Sequence, residues 1–257
     1  MKKLILLICL FVFTRLMAQL NDWTSFTYNS NVRTIAQEGD ILWIGTTGGL
    51  VRYDRTTQEK VYYNTSNSPL PFNYINAIVI DSQGTKWIGT GDSGSSWGGL
   101  VSFDGFSWTV YETLDSGLGH NCILSLAIDH QGVLWVGTYN GLQKYDGTNW
   151  TLYHTNNTDQ DLQIILSLAV DSHNALWVGT EWYGLKKFDG GIWTNFTDPL
   201  GYCQSASCLT FAPDGALWLS GYQPYGMGAL LKFNGTEWTT FTEVQMGAYF
   251  YEVDSIG

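Results

Sequence analysis

Leu134-Trp135-Val136-Gly137-Thr138 decides the fold, because it does not occur once. The same five positions read Leu42-Trp43-Ile44-Gly45-Thr46, Lys86-Trp87-Ile88-Gly89-Thr90 and Leu176-Trp177-Val178-Gly179-Thr180. A degenerate copy, Leu217-Trp218-Leu219-Ser220-Gly221, closes the series. The tryptophans stand 44, 48, 42 and 41 residues apart, the spacing of four short strands and their turns.

Before each motif lies a short apolar run: Ala77–Ile80, Ser125–Ile128, Ser167–Val170 and Cys208–Phe211. Such nearly continuous runs suit strands buried on both faces. A tight turn separates run from motif, as in Asp81-Ser82-Gln83-Gly84, Asp129-His130-Gln131-Gly132 and Pro213-Asp214-Gly215. There Asp bonds the backbone two residues on and Gly accepts a positive φ. After each motif comes a third strand: Gly49–Tyr53, Gly99–Phe103, Gly141–Tyr145, Gly184–Phe188 and Ala229–Phe233. Asp104-Gly105, Asp146-Gly147, Asp189-Gly190 and Asn234-Gly235 then signal hairpins. The fourth strand carries Trp108, Trp150, Trp193 or Trp238, followed by Tyr111, Tyr153, Phe196 or Phe241. Four strands per period make the blades of an all-β propeller. The five complete blades are expected over 29–66, 72–113, 121–155, 163–198 and 205–243.

The recurring pattern, from the Asp-x-x-Gly turn through Trp-Ile-Gly-Thr to Gly-Leu and Asp-Gly-x-x-Trp, resembles the two-component-regulator type of propeller repeat. The resemblance covers nearly the whole chain after residue 18. It implies a bacterial protein of a family that forms periplasmic ligand-sensing domains of hybrid sensor kinases and also occurs in secreted proteins. The sequence carries no kinase or regulator segment, so the resemblance implies the fold strongly and signalling weakly.

The chain ends have their own signals. Lys2 and Lys3 precede the apolar run Leu4–Phe13, and Met17-Ala18-Gln19 places a small residue where a signal peptidase cuts. Ten apolar residues are too few to span a bilayer, so 1–18 reads as a secretory signal and the protein as exported, to the periplasm or beyond. No other stretch approaches spanning length. Without Lys2, Lys3 and Arg15, nine basic residues face 23 acidic ones, a formal charge of −14 that argues against nucleic acid as a partner. Asn21–Phe26 matches a fourth strand ahead of every first strand, so 19–28 reads as an N-terminal closing strand. Tyr251–Gly257 matches a first strand and turn, making 247–257 the start of a sixth blade. The register then calls for about 20–25 further residues to complete six blades, or one more period for seven, within a larger parent polypeptide. Cys203 and Cys208 are close enough for a small disulfide loop, although Cys208 also falls where the other repeats have Ala77, Ser125 and Ser167.

The chemical motifs are weak beside the repeat. Gly91-Asp92-Ser93-Gly94 imitates a serine-protease nucleophile segment but lies in a loop of a repeat fold. A sialidase-like arginine triad drawn from several blades fails, since Arg33, Arg52 and Arg55 all fall in the first blade. Streptogramin lyases, also propellers, rely on a histidine; here His130 and His173 occupy tight turns. No His or Cys pair has metal-ligand spacing, and no phosphate-binding glycine motif appears, so neither metal nor cofactor is expected. The repeated tryptophans read as packing rather than as a sugar ladder.

Propeller geometry puts alternate connections on opposite faces. The repetitive turns mark one face as structural, while the long, dissimilar loops gather on the other. That face collects Trp97, Tyr139, Trp182, Tyr183, Tyr222 and Tyr225, with Asp92 and Glu181 among them. These eight are the candidate ligand-binding residues, since loop aromatics that packing does not require point to a ligand. A non-enzymatic module for a small molecule, glycan or peptide is the leading expectation. A hydrolase or lyase using carboxylates such as Asp92 and Glu181, and a structural repeat of the cell envelope, are the alternatives.

Overall fold

The computed structural model describes residues 31–92, 96–114, 116–196, 205–222 and 228–242, all strands and connections. Five four-stranded antiparallel sheets form a five-bladed propeller. Blade 1 holds β1 Val32–Glu38, β2 Ile41–Thr46, β3 Gly49–Asp54 and β4 Lys60–Tyr63. Blade 2 holds β5 Ile75–Ile80, β6 Lys86–Gly91, β7 Gly98–Phe103 and β8 Trp108–Tyr111. Blade 3 holds β9 Ile123–Ile128, β10 Leu134–Thr138, β11 Gly141–Tyr145 and β12 Trp150–Tyr153. Blade 4 holds β13 Ile165–Val170, β14 Leu176–Thr180, β15 Leu185–Asp189 and β16 Ile192–Phe196. Blade 5 holds β17 Ser205–Phe211, β18 Leu217–Tyr222, β19 Gly228–Phe233 and β20 Trp238–Thr242. The signal segment, the closing strand at 19–28, the start of a sixth blade at 247–257 and Cys203 lie outside the described residues.

Each letter of the repeat has a physical task. In the first turns of blades 2, 3 and 4, one aspartate oxygen accepts two backbone N–H groups, as Asp81 Oδ1 does from Gln83 and Thr85. The second oxygen accepts the indole N–H of the motif tryptophan: Trp87 to Asp81 at 3.1 Å, Trp135 to Asp129 at 3.1 Å and Trp177 to Asp171 at 3.0 Å. In blade 1 Glu38 takes that role for Trp43 at 2.9 Å. Blade 5 has Ala212 at the turn instead, and Asp214 pairs with Lys232. The motif threonine ties second strand to third, Thr46, Thr90, Thr138 and Thr180 donating to the carbonyls of Gly49, Gly99, Gly141 and Gly184.

The core lies between blades rather than within one. Four apolar clusters fill the four seams between consecutive blades. At each seam the motif tryptophan meets an aromatic of the next blade's third strand: Trp43 with Phe103, Trp87 with Tyr145, Trp135 with Phe188 and Trp177 with Phe233. That aromatic packs on the fourth-strand tryptophan paired with it, as in Phe103 on Trp108 at 4.1 Å. Both tryptophan series are therefore packing, as the sequence implied.

The motif glycine sets how closely blades approach. A Cβ on Gly45 would lie 2.7 Å from Ile75 Cγ2, on Gly89 2.6 Å from Ile123 Cγ2, and on Gly137 2.7 Å from Ile165 Cγ2. Blade 5 carries Ser220 there, bonded to Ser207 at 2.7 Å. At the opposite end of the series, blade 1 has an uncovered face. Val32 is 42% and Ile35 47% exposed, whereas their counterparts Ile75, Ile123, Ile165 and Ala206, and Ile78, Leu126, Leu168 and Leu209, are all buried.

Candidate functional site

One backbone hydrogen bond recurs where second strands emerge on the long-loop face. The amides of Thr47, Gly91, Tyr139 and Glu181 donate to the carbonyls of Asn31, Tyr74, Cys122 and Ile164. Tyr222, opposite Ser205, holds the same place in blade 5. Five equivalent positions thus follow the motif on five blades, and Tyr139, Glu181 and Tyr222 occupy three of them. Asp92 and Trp182 come one residue later, and Trp97 and Tyr183 immediately precede residues that open the third strands' hairpins. The structure therefore brings seven of the eight expected residues to one face, although the side chain of Tyr222 and all of Tyr225 lie outside what is described.

Local bonds fix these connections. Thr138 Oγ1 accepts from Asn140 N while donating to Gly141, closing a tight turn that leaves Tyr139 at its tip. Thr180 Oγ1 likewise accepts from Tyr183 N at 3.0 Å. Trp97 is 71% and Trp182 63% exposed, Tyr183 is also exposed, and Asp92 is open to solvent. Tyr139 and Glu181 are half-buried. Tyr139 lies against His120, ring centroids 5.9 Å apart.

His120, which the sequence reading did not single out, is built into this face beside Tyr139, as is His154, whose ring bonds Asn140 at 2.9 Å. His120 Nδ1 accepts from Cys122 N at 3.0 Å, so a neutral ring carries its proton on Nε2. Burial lowers its pKa, opposed by that backbone bond, so the ring is neutral near pH 7. Cys122 is fully buried, and burial with the nearby Asp92 charge pushes its thiol up to about 11, against the opposing charge of Arg33. A thiol so placed is no nucleophile. Among the described residues no group of three His, Cys, Asp or Glu side chains is placed to hold a metal ion.

Two cavities are lined by described residues. An axial cavity of about 270 Å³ is lined by all five innermost strands, from Arg33 and Asn76 through Ser125 and Ser167 to Ser207. A cleft of about 680 Å³ opens between blades 4 and 5 on the opposite face, floored by Trp177, Phe196, Phe211 and Phe233. That face reads from the sequence as purely structural. The cleft lies where Phe196 and Phe233 replace the tyrosines that blade 3 carries at the equivalent positions, and where Ala212 replaces the turn aspartate.

The two-component regulator propeller family model matches residues 69–92 and 117–140. Each match takes in a first strand, its turn and the Trp-x-Gly-Thr strand, the unit whose bonds are described above. These two stretches resemble two-component regulator propeller repeats. Among solved structures, the chain is similar to the extracellular domain of the hybrid two-component system BT3049 of B. thetaiotaomicron. The TM-score is 0.68 at 22% identity, over 80% of this chain and 28% of that one. It is also similar to a catalytically inactive virginiamycin B lyase from Staphylococcus aureus, solved with quinupristin, with TM-score 0.66 at 14% identity over 84% of this chain and 71% of that one. A third likeness is to PorZ, a surface component of the type-IX secretion system of Porphyromonas gingivalis, with TM-score 0.61 at 18% identity over 83% and 34%. The chain spans about a quarter to a third of the length of the extracellular domains it resembles first. At these identities the likeness is one of fold. No curated protein matches the sequence. Among the described residues no helix is long and apolar enough to cross a membrane.

Proposed function

We propose that this propeller is an exported, non-enzymatic binding module that takes a glycan or peptide on its long-loop face. The observation that carries the reading is the contrast between its aromatics. The repeat tryptophans are spent on the seams, whereas Trp97 and Trp182 stand mostly exposed on loops that packing does not require. Exposed rings beside carboxylates suit sugar faces and hydroxyl groups, or peptide side chains and amides. The likeness to extracellular domains of two-component systems and to a bacterial surface component supports export and a sensing role. A glycan-array screen of the purified protein tests the reading. Binding that Trp97→Ala and Trp182→Ala weaken supports it, and loss of folding in both variants would make these residues core instead.

A hydrolase or lyase built on Asp92 and Glu181 has less behind it, because the two stand on blades 2 and 4 with blade 3 and its Tyr139 between them. The open face of blade 1 supports a further reading. Val32 and Ile35 occupy places where every other blade is covered by its predecessor, and we propose that a sixth blade, including 19–28 and 247–257, seats there.

A further inference from the structure

Each first strand carries a bulge near its loop-face end, and the extra residue turns toward the axis. The bulge residues are Arg33, Asn76, Leu124, Leu166 and Ser207, and all five line the axial cavity. Their neighbours on the wall are already engaged. Asn76 donates to the carbonyls of Gly91 and Ile123, both at 2.8 Å, Ser125 donates to Ile165 and Ser167 to Ala206. Among the described residues Arg33 is the one charged residue lining the cavity; it is open to solvent and makes no hydrogen bond or ion pair with them. In a chain of net charge −11, a guanidinium at the wall of the axial cavity, its five donors uncommitted among the described residues, contrasts with its surroundings.

We infer that Arg33 receives a carboxylate of the ligand, so that the axial cavity is the anion-binding floor of the loop-face site. This rests on the loop-face reading above. A guanidinium presents parallel N–H groups that match a carboxylate in a two-pronged hydrogen bond and stays charged at all working pH values. The cavity has room for about nine waters at ~30 Å³ each, so it seats a head group while the rest of the ligand lies on the rim. On that rim Asp92 and Glu181 accept from hydroxyl or amide hydrogens, and Trp182 offers a ring face. Carboxylate chemistry of this kind comes from a uronic-acid sugar or from a peptide terminus.

Titration calorimetry at low ionic strength distinguishes the sources and tests the assignment. The probes are trigalacturonic acid and its methyl ester, and trialanine and its C-terminal amide. Arg33→Ser and Arg33→Asn place at the bulge the residues that blades 5 and 2 carry there, so both variants are expected to fold. The expected result is that one free acid binds, and that blocking its carboxylate or substituting Arg33 each weakens binding at least about tenfold. Trp182→Ala, run in parallel, reports on the loop face alone. Equal binding by wild type and both Arg33 variants, with Trp182→Ala still weakened, overturns the carboxylate assignment and leaves the loop-face reading standing. If neither acid binds, the assignment falls, and the glycan screen decides the loop face independently.

Discussion

Replacing Gly89 with alanine tests how the blades are held apart. The backbone there is of a kind any residue adopts, since Gly89 is not among the glycines with positive φ. On conformational entropy alone the change would therefore stabilise by about 0.4–1 kcal/mol. The new methyl, however, would lie 2.6 Å from Ile123 Cγ2 and 3.0 Å from Ile123 Cβ, with Leu126 Cδ1 at 3.6 Å. Ile123 is fully buried on an inner strand, packed within the apolar cluster between blades 2 and 3. Relief requires blades 2 and 3 to separate or Ile123 to leave its rotamer, which costs about 1–3 kcal/mol. The net effect is destabilisation, lowering the melting temperature by about 2–4 °C per kcal/mol for a chain of this size. Thermal unfolding followed by tryptophan fluorescence reads it directly. Adding Ile123→Ala should give a double variant that costs less than the two single changes summed, because the clash has gone. A Gly89→Ala protein that melts at or above wild type would refute the close-approach explanation of the motif glycine.

Other expectations follow from the same bonds. Thr138→Val leaves the buried Gly141 carbonyl without its 2.9 Å hydroxyl donor and should cost about 1–3 kcal/mol in urea unfolding. Asp171 has its pKa set by burial, which raises it, outweighed by bonds from Trp177, Ala175 and His173 and the charge of Lys187, which together hold it below the ordinary 3.8. Its contribution to stability is therefore present above pH 3.8 and lost as pH falls through the lower folded value, so Asp171→Asn should flatten the acid limb of a stability–pH curve. Cys122, buried with its thiol near 11, should resist iodoacetamide in the native protein at pH 8 and be labelled on unfolding, as mass spectrometry of its peptide would show.

Much of the architecture is legible in the sequence because every blade repeats the same compromises. The Asp-x-x-Gly turn, the Trp-x-Gly-Thr strand and the Asp-Gly hairpin lie on the strands and turns expected. What sequence alone misses is contact across space. The turn aspartates are readable as backbone acceptors, but the indole they hold lies six residues on and reaches them only through the folded turn. First strands begin earlier than their apolar runs, at Ile75 rather than Ala77, because the bulge at Asn76 breaks the alternation that marks a strand. The same bulge hides Arg33, which reads as an ordinary surface arginine until five inner strands are seen around one axis. The loop aromatics are legible as a face, since alternate connections must fall on opposite sides. Which of them stand clear of the blades is not, because exposure depends on loop conformation rather than residue type.

The most direct test of a loop-face binding site is the affinity of an array-selected ligand for wild type, Trp97→Ala and Trp182→Ala, measured beside each protein's melting temperature. An exposed ring that stacks on ligand should cost about 2 kcal/mol of binding, roughly thirtyfold, when removed. As a solvent-facing side chain it should change stability by no more than about 0.5 kcal/mol. Affinity lost with the melting temperature unchanged is the predicted result. Affinity retained by both variants, with folding intact, would contradict the site.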